Sequence, residues 1–222
     1  MSSTDRSLLR TVEERSADLV IAVRARLISI CAWPATHARF LNTLSLMEHI
    51  GSRKIMGSQG EAGLSHDTLK HLAEETRHAY FFKRAAERLA GHALNYSPGE
   101  TIAGASARFY MGRLDAAIAG AMPDASPLAL PYLYMSLVVE LRAIWSYRLY
   151  QEVLSDRRSG ISLASILAEE ELHLSAMLER IAALDDQADS RIAGFADLED
   201  TRFRALWGAI EAESARPRLA AE

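Results

Sequence analysis

The sequence of 222 residues has little of several features that define protein classes. Its single cysteine, Cys31, cannot form an internal disulfide, which excludes a disulfide-stabilised secreted scaffold and predicts that Cys31 packs as a small hydrophobic residue. Six prolines and twelve glycines leave long uninterrupted stretches, which favours helices over many short strands. Arg24 and Arg26 interrupt the most apolar early stretch, Leu19 to Trp33, so the sequence predicts no membrane span.

An excess of one charge is also missing. The chain has 29 acidic and 25 basic side chains, a formal net charge of −4, and 49% hydrophobic residues, as is typical of a soluble globular protein. This balance argues against nucleic acid as a partner, although a local basic patch stays open. The first residues include acids and lack the basic-then-apolar order of a secretion signal. We therefore expect a cytoplasmic protein.

What the sequence does contain is helical patterning. Glycine and proline positions divide it into seven predicted helices. Their predicted bounds are Asp5–Ile30, Ala35–Met56, His66–Leu94, Thr101–Met122, Leu128–Leu154, Ser162–Leu184 and Asp197–Ser214. The pattern predicts one all-α domain over residues 1–222, with a helical core at about 35–184, an N-terminal helix within 1–33 and a C-terminal extension at 185–222.

Two Glu-x-x-His tetrads stand at similar places in the two halves of the chain. They are Glu75 with His78 and Glu170 with His173. On a helix, positions i and i+3 share one face, so both side chains of a tetrad can reach one ion. Each tetrad interrupts an apolar stripe, where an unpaired carboxylate would cost several kcal/mol. Metal ions would supply the missing partners.

Two further glutamates interrupt apolar stripes in the same way. Glu48 follows Leu41 and Leu44, and Glu140 lies between Leu137 and Ile144. If consecutive helices form antiparallel hairpins, residues at equal distance from the loop centre face each other. Glu48 and the first tetrad are centred near residue 62, and Glu140 and the second tetrad near residue 156, both within predicted loops. Each hairpin therefore presents one glutamate opposite one tetrad.

This pattern resembles the ferritin-like di-iron carboxylate proteins over roughly Ala35 to Leu184. The two-histidine set is similar to that of bacterioferritins, rubrerythrins, ribonucleotide reductase small subunits, aldehyde-deformylating oxygenases and tRNA hydroxylases. The resemblance implies a four-helix bundle with a long helical crossover, and two iron ions, with manganese or a mixed pair left open. It implies that Glu75 and Glu170 bridge the ions, with Glu48 and His78 on one and Glu140 and His173 on the other. These six are the candidate catalytic and metal-ligating residues.

The function that this resemblance implies is an oxidoreductase that activates O2 to oxidise a small organic substrate. An external electron donor such as a ferredoxin or reductase is expected, because the sequence has no flavin, haem-attachment or iron–sulfur motif, and a homodimer is left open. The alternatives are a ferroxidase or iron store, a rubrerythrin-like peroxidase, a tRNA hydroxylase, and a metal-free helical module.

Residues near the tetrads are interpreted as structural. We predict that Glu74, Glu169 and Glu171 are surface charges and that His49 is not a ligand. His71 could belong to a mononuclear zinc site, but that would leave Glu140 and the second tetrad unexplained, so it is expected to be an outer neighbour or a surface residue. Tyr147 is predicted to pack, with a redox role left open. Core positions are predicted for Tyr80, Phe81, Phe82 and Trp145.

Overall fold

The computed structural model describes residues 3–58, 65–124, 126–127 and 129–215, which contain eight α-helices and no strand. The helices are α1 (Ser3–Arg15), α2 (Val20–Cys31), α3 (Pro34–Ser58), α4 (His66–Ala90), α5 (Gly104–Ala121), α6 (Ala129–Asp156), α7 (Ala164–Leu184) and α8 (Ala188–Ser214). The predicted all-α fold is confirmed. Most of the predicted loop before α4, the predicted start of α6 at Leu128 and residues 216–222 of the C-terminal extension lie outside the described residues.

All eight helices contribute side chains to one buried hydrophobic cluster, from Leu9 in α1 to Ile210 in α8. Helix α6 contributes more buried side chains to this cluster than any other helix. It is apolar on nearly all sides and packs against α1, α2, α3, α5, α7 and α8. Among the described helices, none has both the length and the apolarity needed to cross a bilayer.

The two predicted hairpins are present, with α3 against α4 and α6 against α7. In the first, Asn42 accepts a hydrogen bond from Lys83 at 3.0 Å, and Ser45 donates to the carbonyl of Ala79 at 2.7 Å. Rising numbers on α3 therefore pair with falling numbers on α4, as the antiparallel arrangement centred near residue 62 requires. In the second, Arg148 donates to Glu171 at 2.9 Å.

The prediction of one long N-terminal helix is wrong, because the chain turns at residues 16–19 between α1 and α2. The turn is held by arginines that come from distant helices. Arg142 of α6 donates to the buried hydroxyl of Ser16, and Arg204 of α8 donates to the carbonyl of Arg15 and to Asp18. Local sequence cannot show these contacts, so periodicity alone overestimates the length of the helix.

Two other helix ends differ from the prediction by four residues or more. Helix α4 ends at Ala90 and not near Leu94, because Gly91 takes a left-handed conformation with φ of 76° that closes the helix. Helix α8 begins at Ala188, well before the predicted Asp197. Its buried stripe already includes Ile192 and Phe195, and burial of this stripe outweighs the cost of a glycine at position 194.

Candidate metal centre

The six predicted ligands come together inside the molecule. They lie on four helices, with Glu48 on α3, Glu75 and His78 on α4, Glu140 on α6, and Glu170 and His173 on α7. None is more than 8% exposed. Helical spacing places each of them in the apolar stripe that its helix turns toward the others.

The donor atoms form two overlapping groups, and each group could hold a metal ion. One group contains Glu48, Glu75, His78 and Glu170, and the other contains His71, Glu75, Glu140 and His173. Within each group the donor atoms all lie within 4.8 Å of one another. Glu75 belongs to both groups, so its carboxylate lies between the two positions.

Glu170 also lies between the two groups. Its Oε1 is 3.2 Å from Nδ1 of His78, and its Oε2 is 3.2 Å from Nδ1 of His173. Oε1 of Glu75 lies 3.7 Å from Nδ1 of His78 and 4.0 Å from Nδ1 of His173. Both carboxylates therefore lie near both tetrad histidines, which is the placement that bridging ligands need.

His71 is a seventh member of the site, which the sequence prediction placed outside the ligand set. Its Nε2 lies 3.1 Å from Glu140 and 3.5 Å from Glu75, and its ring centroid is 4.2 Å from that of His173. The signal was present in the sequence, because His71 is one turn before Glu75 and faces the same way. A mononuclear site is not needed to explain it, since His71 shares its group with Glu140 and His173.

Each of the three histidines is held by an outer partner on its other ring nitrogen. Nε2 of His78 donates to Glu169 at 2.7 Å, and Nε2 of His173 hydrogen-bonds to Glu74 at 2.9 Å. Nδ1 of His71 hydrogen-bonds to the Tyr132 hydroxyl at 2.7 Å. Such partners fix which nitrogen faces a metal and make it more basic.

The prediction that Glu74 and Glu169 are plain surface charges is therefore wrong. Each immediately precedes the ligand glutamate of its own tetrad, about 100° around the helix, and so reaches the histidine of the opposite helix. The available signal in the sequence was the glutamate that directly precedes each tetrad. Glu171 is on the surface as predicted and pairs with Arg148 at 2.9 Å.

Several buried donor atoms point into the shared space without a hydrogen bond among the described residues. They are Nε2 of His71, Nδ1 of His78 and Oε2 of Glu140. The first two lie within 3.5 Å of carboxylate oxygens but not in hydrogen-bonding geometry. Buried polar groups are rarely left without partners. Atoms that converge in this way fit a cation, so the residues present suit a metal.

The electrostatics of the cluster show how strongly these groups depend on one another. Burial raises the pKa of Glu48 well above its ordinary value, and the nearby Glu75 and Glu170 raise it further. Burial also raises the pKa of Glu140, to about 7, against the opposing effect of His71. The cluster therefore resists holding all its carboxylates ionised at once.

The histidines behave in the opposite way. Burial by itself lowers the pKa of His71, but the close carboxylates Glu140 and Glu75 outweigh it and raise this pKa to about 12. In the same way, Glu170 and other carboxylates raise the pKa of His78 to about 10 and of His173 to about 9. The raised pKa values favour protonated imidazoles in the metal-free cluster, where they would place positive charge beside the carboxylates.

Two residues adjust the positions of the carboxylates. The Tyr147 hydroxyl donates a hydrogen bond to Oε1 of Glu48, while its ring packs against Phe82 at 5.5 Å between centroids. Gly51 lies within α3, where glycine weakens a helix. A Cβ at this position would be 3.2 Å from Oε2 of Glu75, so the glycine leaves room for that carboxylate.

The remaining predicted residues lie away from the cluster. His49 is exposed and stacks on Tyr96 at 5.8 Å, in agreement with its prediction as a non-ligand. The core positions of Phe82 and Trp145 are confirmed and Phe81 is partly buried. Tyr80 is 62% exposed, so its prediction as a core residue is wrong.

Two spaces adjoin the cluster. An open groove of about 650 Å³ leads from the surface to His71, Glu75 and Glu140, between α3, α5 and α6. A smaller and partly enclosed cavity of about 90 Å³, called the closed cavity because it is less open than the groove, is bordered by the carboxylates Glu48, Glu75, Glu140 and Glu170.

No protein-family model, curated protein or solved structure matches the chain.

Proposed function

We propose that the chain is a non-haem di-iron oxidoreductase of ferritin-like architecture that activates O2 to oxidise a small organic substrate. The observation that supports this most directly is the pair of buried four-residue groups that share Glu75. Two neighbouring sites with a common carboxylate are what a dinuclear centre requires.

The donor set supports iron as the resident metal. Carboxylates are hard ligands and imidazoles suit iron, while one or two histidines per ion leave positions for other ligands. Manganese or a mixed pair also fits the carboxylate-rich group of Glu48, Glu75, His78 and Glu170. His71 departs from the two-histidine pattern and gives the other group a second imidazole. When bound, the metals would supply the oxygen binding and the electrons that side chains cannot.

The chain's own residues would hold and insulate this centre. Glu74, Glu169 and Tyr132 fix the ring orientation of the three histidines. Tyr147 holds Glu48 in position through its hydroxyl. Apolar side chains on α2, α5 and α8 line the cavity beside the cluster and would limit the access of water to it.

An oxidase or oxygenase is favoured over an iron store by the spaces beside the cluster. The polar groove would admit ions in either case, but a cavity lined mainly by hydrocarbon suits an organic substrate and has no use in a store. An external donor such as a ferredoxin or reductase would supply electrons, and a homodimer would be compatible with this function.

The test is anaerobic reconstitution with Fe(II), followed by metal analysis, size-exclusion chromatography and O2 consumption. The proposal expects about two irons per chain in a small assembly, and O2 uptake that needs the iron. The variants Glu75→Ala and His173→Ala should lose metal, while His49→Ala, at an exposed histidine outside the cluster, should keep it. A large shell that retains many irons per chain would show a store instead. Unchanged metal content in the two cluster variants would refute a metal centre here.

A further inference from the structure

The closed cavity lies between the ligand-bearing helices α3, α4, α6 and α7 and the helices α2, α5 and α8. Apolar side chains from five helices line it, including Leu27 of α2, Met111 of α5, and Leu206 and Ile210 of α8. The cluster carboxylates form part of the same wall. A group placed in this cavity is therefore next to the proposed metal centre and surrounded elsewhere mainly by hydrocarbon.

The other polar side chains that border the cavity are already engaged with protein partners. Arg142 donates hydrogen bonds to Glu199, Asp200 and Ser16, and Tyr110 also donates to Glu199. Ser146 donates to the carbonyl of Ala143, Tyr147 donates to Glu48, and Trp207 donates to Glu211. Tyr150 hydrogen-bonds to His37. A polar group that entered the cavity would leave water without gaining a hydrogen bond from these side chains. When metal ions engage the cluster carboxylates, the cavity therefore discriminates against polar groups.

The open groove has the opposite character. Arg53 and Ser136 border it, together with the ion pair of Lys54 and Asp115. Five residues line both spaces, namely Gly51, Glu75, Met111, Val139 and Glu140. A molecule could therefore place a polar part in the groove and an apolar part in the cavity, with the cluster beside the junction.

We propose that the closed cavity binds the reacting hydrocarbon group of the substrate, a short alkyl or alkenyl group without polar substituents, while the polar remainder of the substrate stays in the groove. This rests on the proposed function, because the cavity borders the proposed metal centre. Its volume of about 90 Å³ is smaller than the roughly 150 Å³ of an apolar cavity that takes benzene. The group that fits is therefore smaller than a benzene ring, roughly three or four carbons long.

Binding can be tested without turnover on protein loaded with Zn(II), which is redox-inactive and suits the same ligands. Xenon is followed by ¹²⁹Xe NMR, and primary alcohols from ethanol to hexanol are tested as competitors. Affinity should rise about fourfold per methylene, the effect of burying each one, until the chain fills the cavity near butanol, and then level off. The polar isostere of butanol is 1,3-propanediol, in which a hydroxyl replaces the terminal methyl group. It should bind at least about tenfold more weakly than butanol, because its inner hydroxyl finds no partner.

Two variants should fill the cavity from different helices, Ala143→Leu from α6 and Ile210→Phe from α8. Both should lose xenon and butanol binding while they retain zinc. The matched control Ala25→Leu adds the same bulk as the first variant on an exposed face of α2 and should bind like the parent chain. If one filled variant fails to fold, the other still decides the outcome.

Three outcomes would overturn the proposal. They are equal binding of butanol and 1,3-propanediol, butanol binding that persists in a folded filled variant, and xenon binding without any alcohol binding. Each of these can occur while the chain still holds two metal ions, so the proposed function would survive. Failure of the parent chain to bind metal would refute the proposed function instead, and xenon and alcohol binding to the metal-free chain would then still report on the cavity.

Discussion

The outer carboxylates offer the sharpest test of the metal centre. Glu74 on α4 contacts His173 on α7, and Glu169 on α7 contacts His78 on α4, so each helix orients the ligand of the other. Replacing such a partner typically costs 10- to 100-fold in metal affinity, or about 1.4 to 2.8 kcal/mol. Glutamine keeps an acceptor oxygen but loses the charge, so Glu74→Gln and Glu169→Gln should lie near the lower limit.

The two substitutions should not be equal. Arg77 forms a close ion pair with Glu169 and already neutralises part of its charge, and Arg77 also helps to lower the pKa of that carboxyl. Glu74 has the Lys70 ammonium at the longer distance of 3.8 Å. More of the charge of Glu74 is therefore available to His173. We expect the loss of affinity to be larger for Glu74→Gln than for Glu169→Gln.

Anaerobic titration calorimetry with Fe(II), or with Co(II) as an optical probe, measures these affinities. The matched control is Glu171→Gln, because Glu171 also lies within the second tetrad but pairs with Arg148 and contacts none of the three histidines. It should change the affinity less than twofold, as expected for a surface ion pair. If Glu171→Gln weakens binding as much as the other two, or if those two leave binding unchanged, the assigned outer partners are wrong.

Three other perturbations have clear expected outcomes. His71→Ala should weaken one of the two metal-binding steps at least about tenfold and leave the other nearly intact, because His71 belongs to only one of the two groups. A Co(II) titration in which both binding steps are unchanged would exclude His71 as a ligand. Metal affinity should fall as the pH falls, because the raised pKa values favour protonation of the three inward histidines and bound metal must displace those protons. Calorimetry in buffers of different ionisation heat should show that at least three protons are released when metal binds. If no protons are released, the prediction is wrong. Arg142→Met should lower the free energy of unfolding in urea by about 3 to 5 kcal/mol, because the substitution leaves the buried Glu199 carboxylate without its arginine partner. A decrease of less than about 1 kcal/mol would show that the ion pair is dispensable.

The parts of the site that sequence could predict are those set within one helix. Glu75 and His78 had to share a face because of helical spacing, and their places in apolar stripes indicated burial. The pairing of Glu48 with this tetrad followed from distance to the loop. These relations need only local geometry and the antiparallel hairpin.

The outer partners could not be predicted in the same way. Whether Glu74 faces solvent or His173 depends on the rotation and separation of α4 and α7, which are set by packing along their whole length. The turn between α1 and α2 depends on Arg142 and Arg204, which lie more than one hundred residues away in sequence. Such contacts follow from the tertiary arrangement. The glutamate before each tetrad marks a candidate outer partner in the sequence, but the local pattern does not show what it contacts.

The charge balance predicts that the chain can fold around so many ionisable groups before any metal binds. Four carboxylates in a buried space would repel one another strongly if nothing opposed them. Protons on the three inward histidines and on Glu48, whose pKa is raised, add four positive charges relative to neutral histidines and ionised glutamates. Two divalent ions add the same four charges when the protons leave. Metal loading would therefore exchange one set of counter-charges for another, and we expect the chain to fold before it binds metal.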